Sequence, residues 1–184
     1  MLTVSDALKQ RISVRKFRAT PVSRQLLEEV LDAARWSPSG GNLQPWKVIA
    51  ITGAERAAVM ALARAAQAAG KPGHLAQVAR NFEFFGTPVG LFFVIDRRMG
   101  RAQWAHLGMF MQSLALVAVE RGLGTCMQEF WGTLRDSLHH HFALPETDVV
   151  YCGMALGFAD LAAPVHQLRS ERAAVEKFCT LRGF

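Results

Sequence analysis

A chain of 184 residues, 51% of them apolar, is long enough to fold as one ordinary domain around a sizeable hydrophobic core. This composition argues against a disordered chain, and three cysteines without a CxxC pair argue against a disulfide framework or a cysteine metal site. We expect buried free thiols. Residues 1–10 lack the basic start and apolar stretch of a secretory signal, so we also expect a cytoplasmic protein.

The net charge is +6, from 21 Lys and Arg against 15 Asp and Glu. A nucleic-acid-binding protein typically clusters its basic residues on one face, with aromatic side chains available for stacking. Here the arginines are spread along the chain and few aromatic residues accompany them. The charge therefore favours a small anionic ligand over a nucleic acid.

The first quarter of the chain predicts a helix, a loop and a strand. Ser23 precedes apolar residues at helical spacing, which predicts a capped helix that ends near Pro38. Residues 37–46 are rich in Gly, Pro and Ser and form the loop, and residues 47–52 form a short strand. No repeat or linker divides the chain, so we expect a single domain over residues 1–184.

The middle of the chain predicts two helices around a strand. Residues 54–69 are alanine-rich and helical, and residues 89–95 form an unbroken apolar run typical of a strand covered on both faces. The helix is expected to end at Gly70, Pro72 and Gly73. Residues 104–121 are helical with apolar side chains on all sides, so we expect burial all round, partly by a partner chain.

The last third predicts a tight turn and extended chain at 122–129, a helix at 133–142 and a buried strand at 149–158. This alternation of helices and covered strands predicts a sheet flanked by helices. The final 25 residues have no compact pattern of their own. Such a tail usually lies along another surface.

Two segments carry candidate binding residues. Arg11 and Arg15, with Ser13 between them, offer two guanidinium forks and a hydroxyl that suit a phosphate group, although a solvated basic turn is the alternative. In the loop at 37–46, Gly40 and Gly41 allow close backbone approach to a ligand. Asn42 and Gln44 could hydrogen-bond the edge of a planar heterocycle, unless the loop serves turn geometry alone.

Other common site types find no support in the sequence. There is no GxGxxG or GxxxxGK[ST] motif for nucleotides, and no GxSxG motif for a serine nucleophile. Cys126 has no nearby partner in sequence and is interpreted as a packed thiol. The consecutive residues His139, His140 and His141 point to different sides of a helix, so we interpret them as surface and predict no metal site.

Taken together, four segments resemble the FMN-dependent nitroreductase family over nearly the whole chain. Residues 11–17 are similar to its phosphate-binding opening, and residues 37–46 to its flavin-contacting loop. Residues 122–129, and residues 152–160 with Arg172 beyond them, resemble especially the nitrobenzoate-reductase branch. The four segments occur in the family's order.

The resemblance implies an α+β fold, a three-layer sandwich in which helices flank a mixed central sheet. It also implies an intertwined homodimer, with FMN at the dimer interface and the C-terminal tail wrapped over the partner. The implied partners are FMN, NAD(P)H as reducing co-substrate and a small aromatic acceptor. No nucleic acid or membrane is implied.

The resemblance further implies which residues bind FMN. Around its phosphate it implies Arg11, Ile12, Ser13, Arg15, Arg169 and Arg172. Around its isoalloxazine ring it implies Pro38, Ser39, Gly40, Asn42 and Gln44 from one subunit and Met127, Gln128 and Glu129 from the other. This chain departs from the family at Ser170, where a lysine is common, and at Phe130, where a glycine is common. Arg80 or Asn81 is a further flavin contact, and the choice between them stays open.

The implied function is an FMN-dependent NAD(P)H oxidoreductase that reduces nitroaromatic or quinone-type acceptors. FMN carries the redox chemistry, so no catalytic side chain is expected. Reductant and acceptor would use one stacking slot in turn, which predicts hydride transfer with ping-pong kinetics. Two alternatives stay open: a same-fold flavoprotein that performs reductive dehalogenation or flavin fragmentation, and a non-enzymatic flavin- or nucleic-acid-binding module.

Overall fold

The computed structural model describes residues 2–70 and 79–184. The α-helices in these ranges are α1 (Val4–Gln10), α2 (Arg24–Ala34), α3 (Gly53–Ala68), α4 (Arg101–Glu120) and α5 (Arg135–His141). The strands are β1 (Lys47–Ile51), β2 (Val89–Asp96), β3 (Gly124–Gln128) and β4 (Asp148–Gly157). The predicted elements are confirmed to within a few residues, except that 3-10 turns at Glu129–Leu134 precede α5. Helix α3 ends before Gly70, while Pro72 and Gly73 lie outside the described residues.

The predicted cap of α2 is present. The Ser23 hydroxyl accepts a hydrogen bond from the Leu26 N–H at 3.1 Å, which satisfies one of the free donors at the start of the helix. Thr3 does the same for α1 by accepting from the Asp6 N–H at 3.1 Å. These short-range bonds fix where the two helices begin.

The four strands form one sheet in the order β1-β2-β4-β3, and every neighbouring pair is antiparallel. The resemblance implies a mixed sheet. In the described ranges, the parallel pairing is limited to one isolated bridge, between Ser13 and Thr125. Further along, the same segment forms an isolated antiparallel bridge between Phe17 and Ala159. Alternate residues of β2 face opposite sides of the sheet, so Phe92 and Phe93 enter different cores.

Helices cover both faces of the sheet, which gives the predicted three layers. Helices α3 and α5 pack with Trp131 on one face, and α2 and α4 pack on the other. Trp131 lies so close to β4 that a Cβ atom on Gly153 would be 2.3 Å from its Cδ1 atom. Gly153 is therefore the residue that lets the indole lie flat against the strand.

Helix α4 is not covered on all sides within one chain, which leaves room for the partner chain that the prediction invoked. Leu107, Phe110 and Leu114 are buried against the sheet, but Met109 is 46% exposed and Leu116 is only half-buried. The sheet and α2 can cover only the side of the helix that faces them. One apolar side of α4 is therefore left uncovered.

The chain after β4 has no long element, as predicted. Among the described residues of this tail there are only two 3-10 turns, at Pro164–His166 and Val175–Lys177. Cys126 and Cys152 are buried free thiols, but Cys179 lies on the tail and is exposed, which corrects the expectation that all three are buried. The tail has no core of its own to cover this thiol.

Candidate functional site

A cavity of about 580 Å³ lies where the chain after α1 meets the C-terminal tail. Its lining includes five basic side chains and no acidic one: Lys9, Arg11, Arg15, Arg169 and Arg172. Ile12, Ser13 and Ser170 complete the two chain segments that face each other across it. The structure therefore brings together all six residues that the resemblance assigned to the phosphate.

Local geometry explains why the first segment faces the cavity. Helix α1 ends at Gln10, and the extended chain beyond it is anchored when the Val14 N–H donates to the Thr125 carbonyl at 2.9 Å. Val14 is buried against Gly124, where an added Cβ would be 2.6 Å from its side chain. Because side chains alternate along extended chain, Ser13 and Arg15 are directed away from that core.

The basic side chains of the cavity are not neutralised by carboxylates. Within residues 2–70 and 79–184, none of the five forms a salt bridge. Arg169 and Arg172 instead donate to backbone carbonyls of the tail, at His166 and Leu168 and at Ser170 and Glu171. Converging cations without counter-charges create a positive potential that attracts an anion.

Cys126 lies beside this cavity but is not poised as a nucleophile. Its thiol is buried, and burial raises its pKa to about 11, against the opposing effects of Arg15, Ser13 and Arg11. The thiol therefore stays protonated at neutral pH, whereas the thiolate is the nucleophilic form. The structure agrees with a packed thiol.

The loop at 37–46 forms a second, separate cavity of about 390 Å³, lined by Pro38, Ser39, Asn42 and Gln44 among others. Asn42 and Gln44 both have positive φ, at 52° and 47°, which is uncommon for residues other than glycine. The Ser39 hydroxyl holds this conformation by accepting from the Gln44 N–H at 3.0 Å. Strained backbone of this kind concentrates at ligand-binding sites.

Gly40 lies against helix α4 instead of lining either cavity. Its N–H donates to Nδ1 of His106 at 3.4 Å, and an added Cβ would be 3.1 Å from the His106 ring. This contact attaches the loop to the rigid helix. The two cavities share no lining residue, so a single chain does not join its phosphate-type residues to its loop residues.

The three predicted residues around the end of β3 behave differently from one another. Met127 and Glu129 are exposed, whereas Gln128 is 1% exposed and its side chain points into the chain's own interior. Its Nε2 donates to the Asn81 carbonyl at 2.7 Å, and among the described residues its Oε1 has no hydrogen-bond partner. In the single chain, Gln128 therefore supports the structure and does not line either cavity.

Arg80 and Asn81, between which the choice of flavin contact stays open, each make a structural contact within the chain. Arg80 donates from Nη2 to the Arg15 carbonyl at 3.0 Å, and the Asn81 carbonyl accepts from Gln128. Neither residue lines the two cavities described above. Arg80 thus contributes to the candidate site through the backbone of Arg15.

Sequence reasoning missed three residues at this site. Lys9 and Gln112 line the large cavity, and the buried His166 contacts the Arg15 backbone. Gln112 is one of the polar residues that interrupt the largely apolar helix α4, and that was a usable signal for it. Lys9 and His166 had no local signal, because only the folding of the tail onto α1 and its following segment gives them neighbours.

Comparisons with known proteins agree with this geometry. A family model described as Nitroreductase family matches residues 8–158. The 4-nitrobenzoate reductase of Pseudomonas putida is 35% identical, over 95% of this chain and 93% of that protein. The nitrobenzene nitroreductase of Ectopseudomonas oleovorans is 30% identical, over 96% of each. The crystal structure of an FMN and NADPH-dependent nitroreductase from Sphigopyxis sp. strain HMH superposes with a TM-score of 0.95 at 32% identity, over 100% of each chain.

Two kinds of feature are absent from the described part of the chain, a membrane-spanning helix and a group of metal ligands. No helix there is long and apolar enough to cross a membrane. No group of three or more His, Cys, Asp or Glu side chains converges there in a way that could hold a metal ion.

Proposed function

Because the chain belongs to the Nitroreductase family, we propose that it is an FMN-dependent NAD(P)H oxidoreductase that reduces nitroaromatic acceptors, with quinone-type compounds as further acceptors. The observation that carries this proposal is the cavity in which Arg11, Arg15, Arg169 and Arg172 converge without a carboxylate. Four converging guanidinium groups there would bind a phosphate ester.

The residues present fit the phosphate of FMN. A phosphate dianion accepts hydrogen bonds in the geometry that arginine forks supply, and such charge-assisted bonds are about twice as strong as neutral ones. The Ser13 hydroxyl adds a donor at short range, and Ser170 adds another where the family often has lysine. Arg169 and Lys9 lie in the same lining and offset the missing lysine charge.

We further propose that the isoalloxazine site is completed by a second copy of the chain. The loop residues Pro38, Ser39, Asn42 and Gln44 lie in a cavity separate from the phosphate-type residues, and in this proposal a second copy brings one set to the other around one flavin. The uncovered apolar side of α4 around Met109 supports such an interface. Gly40 would contribute backbone, while Met127 and Glu129 would line the ring from the other copy.

In this proposal FMN supplies the hydride chemistry, and the chain's residues bind it, orient it and set the charge around it. Reductant and acceptor would enter the same slot in turn. Double-reciprocal plots of initial rate against reductant concentration, recorded at several acceptor concentrations, should therefore be parallel lines. The excess of positive charge favours acceptors that carry a carboxylate, such as nitrobenzoates. The buried free thiols Cys126 and Cys152 accord with a reducing compartment, and we retain the cytoplasm as the proposed location.

The test is purification without added cofactor, followed by assays of binding and turnover. The protein should be yellow or become so with FMN, and should oxidise NADH or NADPH when 4-nitrobenzoate or a quinone is supplied. A protein that takes up no FMN and oxidises neither nucleotide refutes the proposal. Dehalogenation of an iodotyrosine without nitrobenzoate turnover would instead favour the same-fold alternative.

The proposed dimer has its own test in sedimentation equilibrium. The protein with FMN should have twice the mass of the chain, and Met109→Glu should reduce that mass towards the monomer by placing a charge on the uncovered side of α4. Ala58→Glu, at an exposed position of α3 on the opposite face of the sheet, is the matched control. A wild-type monomer that binds FMN fully would contradict the two-copy site.

A further inference from the structure

His166 is a buried histidine that joins the two chain segments of the basic cavity. It is only 3% exposed, and it lies at the end of the 3-10 turn that begins the tail. Its Nε2 lies 2.9 Å from the Arg15 backbone N, and its Nδ1 lies 2.8 Å from the Asp160 carbonyl oxygen. The two ring nitrogens therefore face a donor and an acceptor, respectively.

This pair of partners dictates the protonation state of the ring. The Arg15 N–H can only donate, so Nε2 must accept and carry no proton. The Asp160 carbonyl can only accept, so Nδ1 must donate. His166 is therefore neutral, with its proton on Nδ1, and a second proton on Nε2 would place two donors against each other.

Contacts on both sides of His166 lead to arginines of the cavity. On one side Arg15 is held through both of its backbone polar groups, since its N–H donates to His166 and its carbonyl accepts from Arg80. On the other side Arg169 donates from Nη1 to the His166 carbonyl. Asp160 is attached to the same region, because its N–H donates to the Lys16 carbonyl at 3.0 Å. His166 thus connects an N-terminal to a C-terminal phosphate-type arginine, through its imidazole on one side and its backbone carbonyl on the other.

We propose that His166 is a positioning residue for the anion site, which holds the Arg15 backbone and the Arg169 side chain at the spacing that the FMN phosphate requires. The proposal rests on the proposed function, because it takes the phosphate of FMN as the anion.

A matched pair of variants separates the two bonds of the ring. In His166→Gln the side-chain oxygen can still accept from the Arg15 N–H, whereas in His166→Asn the shorter amide can serve Asp160 but does not reach Arg15. We expect His166→Asn to weaken FMN binding at pH 8 roughly 2- to 12-fold, the loss of one hydrogen bond, and to leave riboflavin affinity nearly unchanged. His166→Gln should bind FMN nearly as the wild type does.

The pair of variants also supplies a readout that a purely structural role would not change. His166→Asn and His166→Gln both lose the imidazole, so recovery of FMN affinity in His166→Gln alone assigns the effect to the bond with the Arg15 N–H. His139→Asn, which alters a bond to the Pro145 carbonyl, is the control and should follow the wild type.

Nitrogen NMR of the flavin-free protein tests the arrangement without any ligand. At pH 8 the His166 ring should carry its proton on Nδ1, and the Arg15 amide should show a coupling to Nε2 across the hydrogen bond. A proton on Nε2 at pH 8, equal loss of FMN and riboflavin in His166→Asn, or equal FMN affinities for His166→Asn and His166→Gln would overturn the proposal. A protein that shows the expected NMR signals but takes up no FMN would refute the proposed function instead.

Discussion

Replacing Arg15 by alanine should weaken FMN binding far more than riboflavin binding. Arg15 lines the basic cavity, is half-buried and forms no salt bridge in the described residues, so its guanidinium is free to bind a phosphate. A hydrogen bond to a charged group contributes about 1.5 to 3 kcal/mol, which corresponds to roughly 10- to 150-fold in dissociation constant. Four other cations remain around the anion, so we expect a value near the lower end.

The assay is titration of flavin-free protein with FMN and with riboflavin, followed by quenching of flavin fluorescence. Arg24→Ala is the matched control, because it removes the same charge from a side chain that is 90% exposed and pairs with Glu28 on α2. Its FMN affinity should be nearly that of the wild type. Raising the salt concentration should weaken wild-type FMN binding more than that of Arg15→Ala, since one screened attraction is already absent. Equal losses for both flavins, or an equal loss in Arg24→Ala, would refute the phosphate role of Arg15.

Three further predictions concern packing, capping and thiol chemistry. Gly153→Ala should lower the free energy of unfolding in urea by about 1 to 3 kcal/mol, because the new methyl group overlaps the Trp131 ring; an unchanged midpoint would contradict this contact. Ser23→Ala should lower the free energy of unfolding, measured by thermal unfolding, by about 1 kcal/mol because the α2 cap is lost, and Ser23→Asp should retain most of the wild-type stability. Neither Cys126 nor Cys152 should react with a disulfide reagent at pH 8, because burial raises their pKa values to about 11 and about 12; rapid labelling of either in the folded protein would show that it is accessible.

The sequence by itself determined the local features of this protein. The apolar spacing after Ser23 predicted a capped helix, and the apolar run at 89–95 predicted a strand buried on both faces; both are confirmed. The spacing of Arg11, Ser13 and Arg15 left a phosphate-binding segment and a solvated basic turn as alternatives, and the three residues line one cavity. Such features depend on interactions between residues a few positions apart, so their signals are contained in short stretches of sequence.

Only the tertiary structure decided which distant residues meet. Arg15 and His166 are 151 positions apart and have no pattern in common, yet they share a hydrogen bond because the tail folds back along the segment after α1. The side chain of Gln128 is turned inward by its hydrogen bond to the Asn81 carbonyl, and no local pattern indicated this contact. The sequence indicated that one chain would not cover all of α4, but only the structure decided that the side around Met109 is the uncovered one. Contacts of this kind depend on how whole elements pack, and no local sequence pattern encodes that packing.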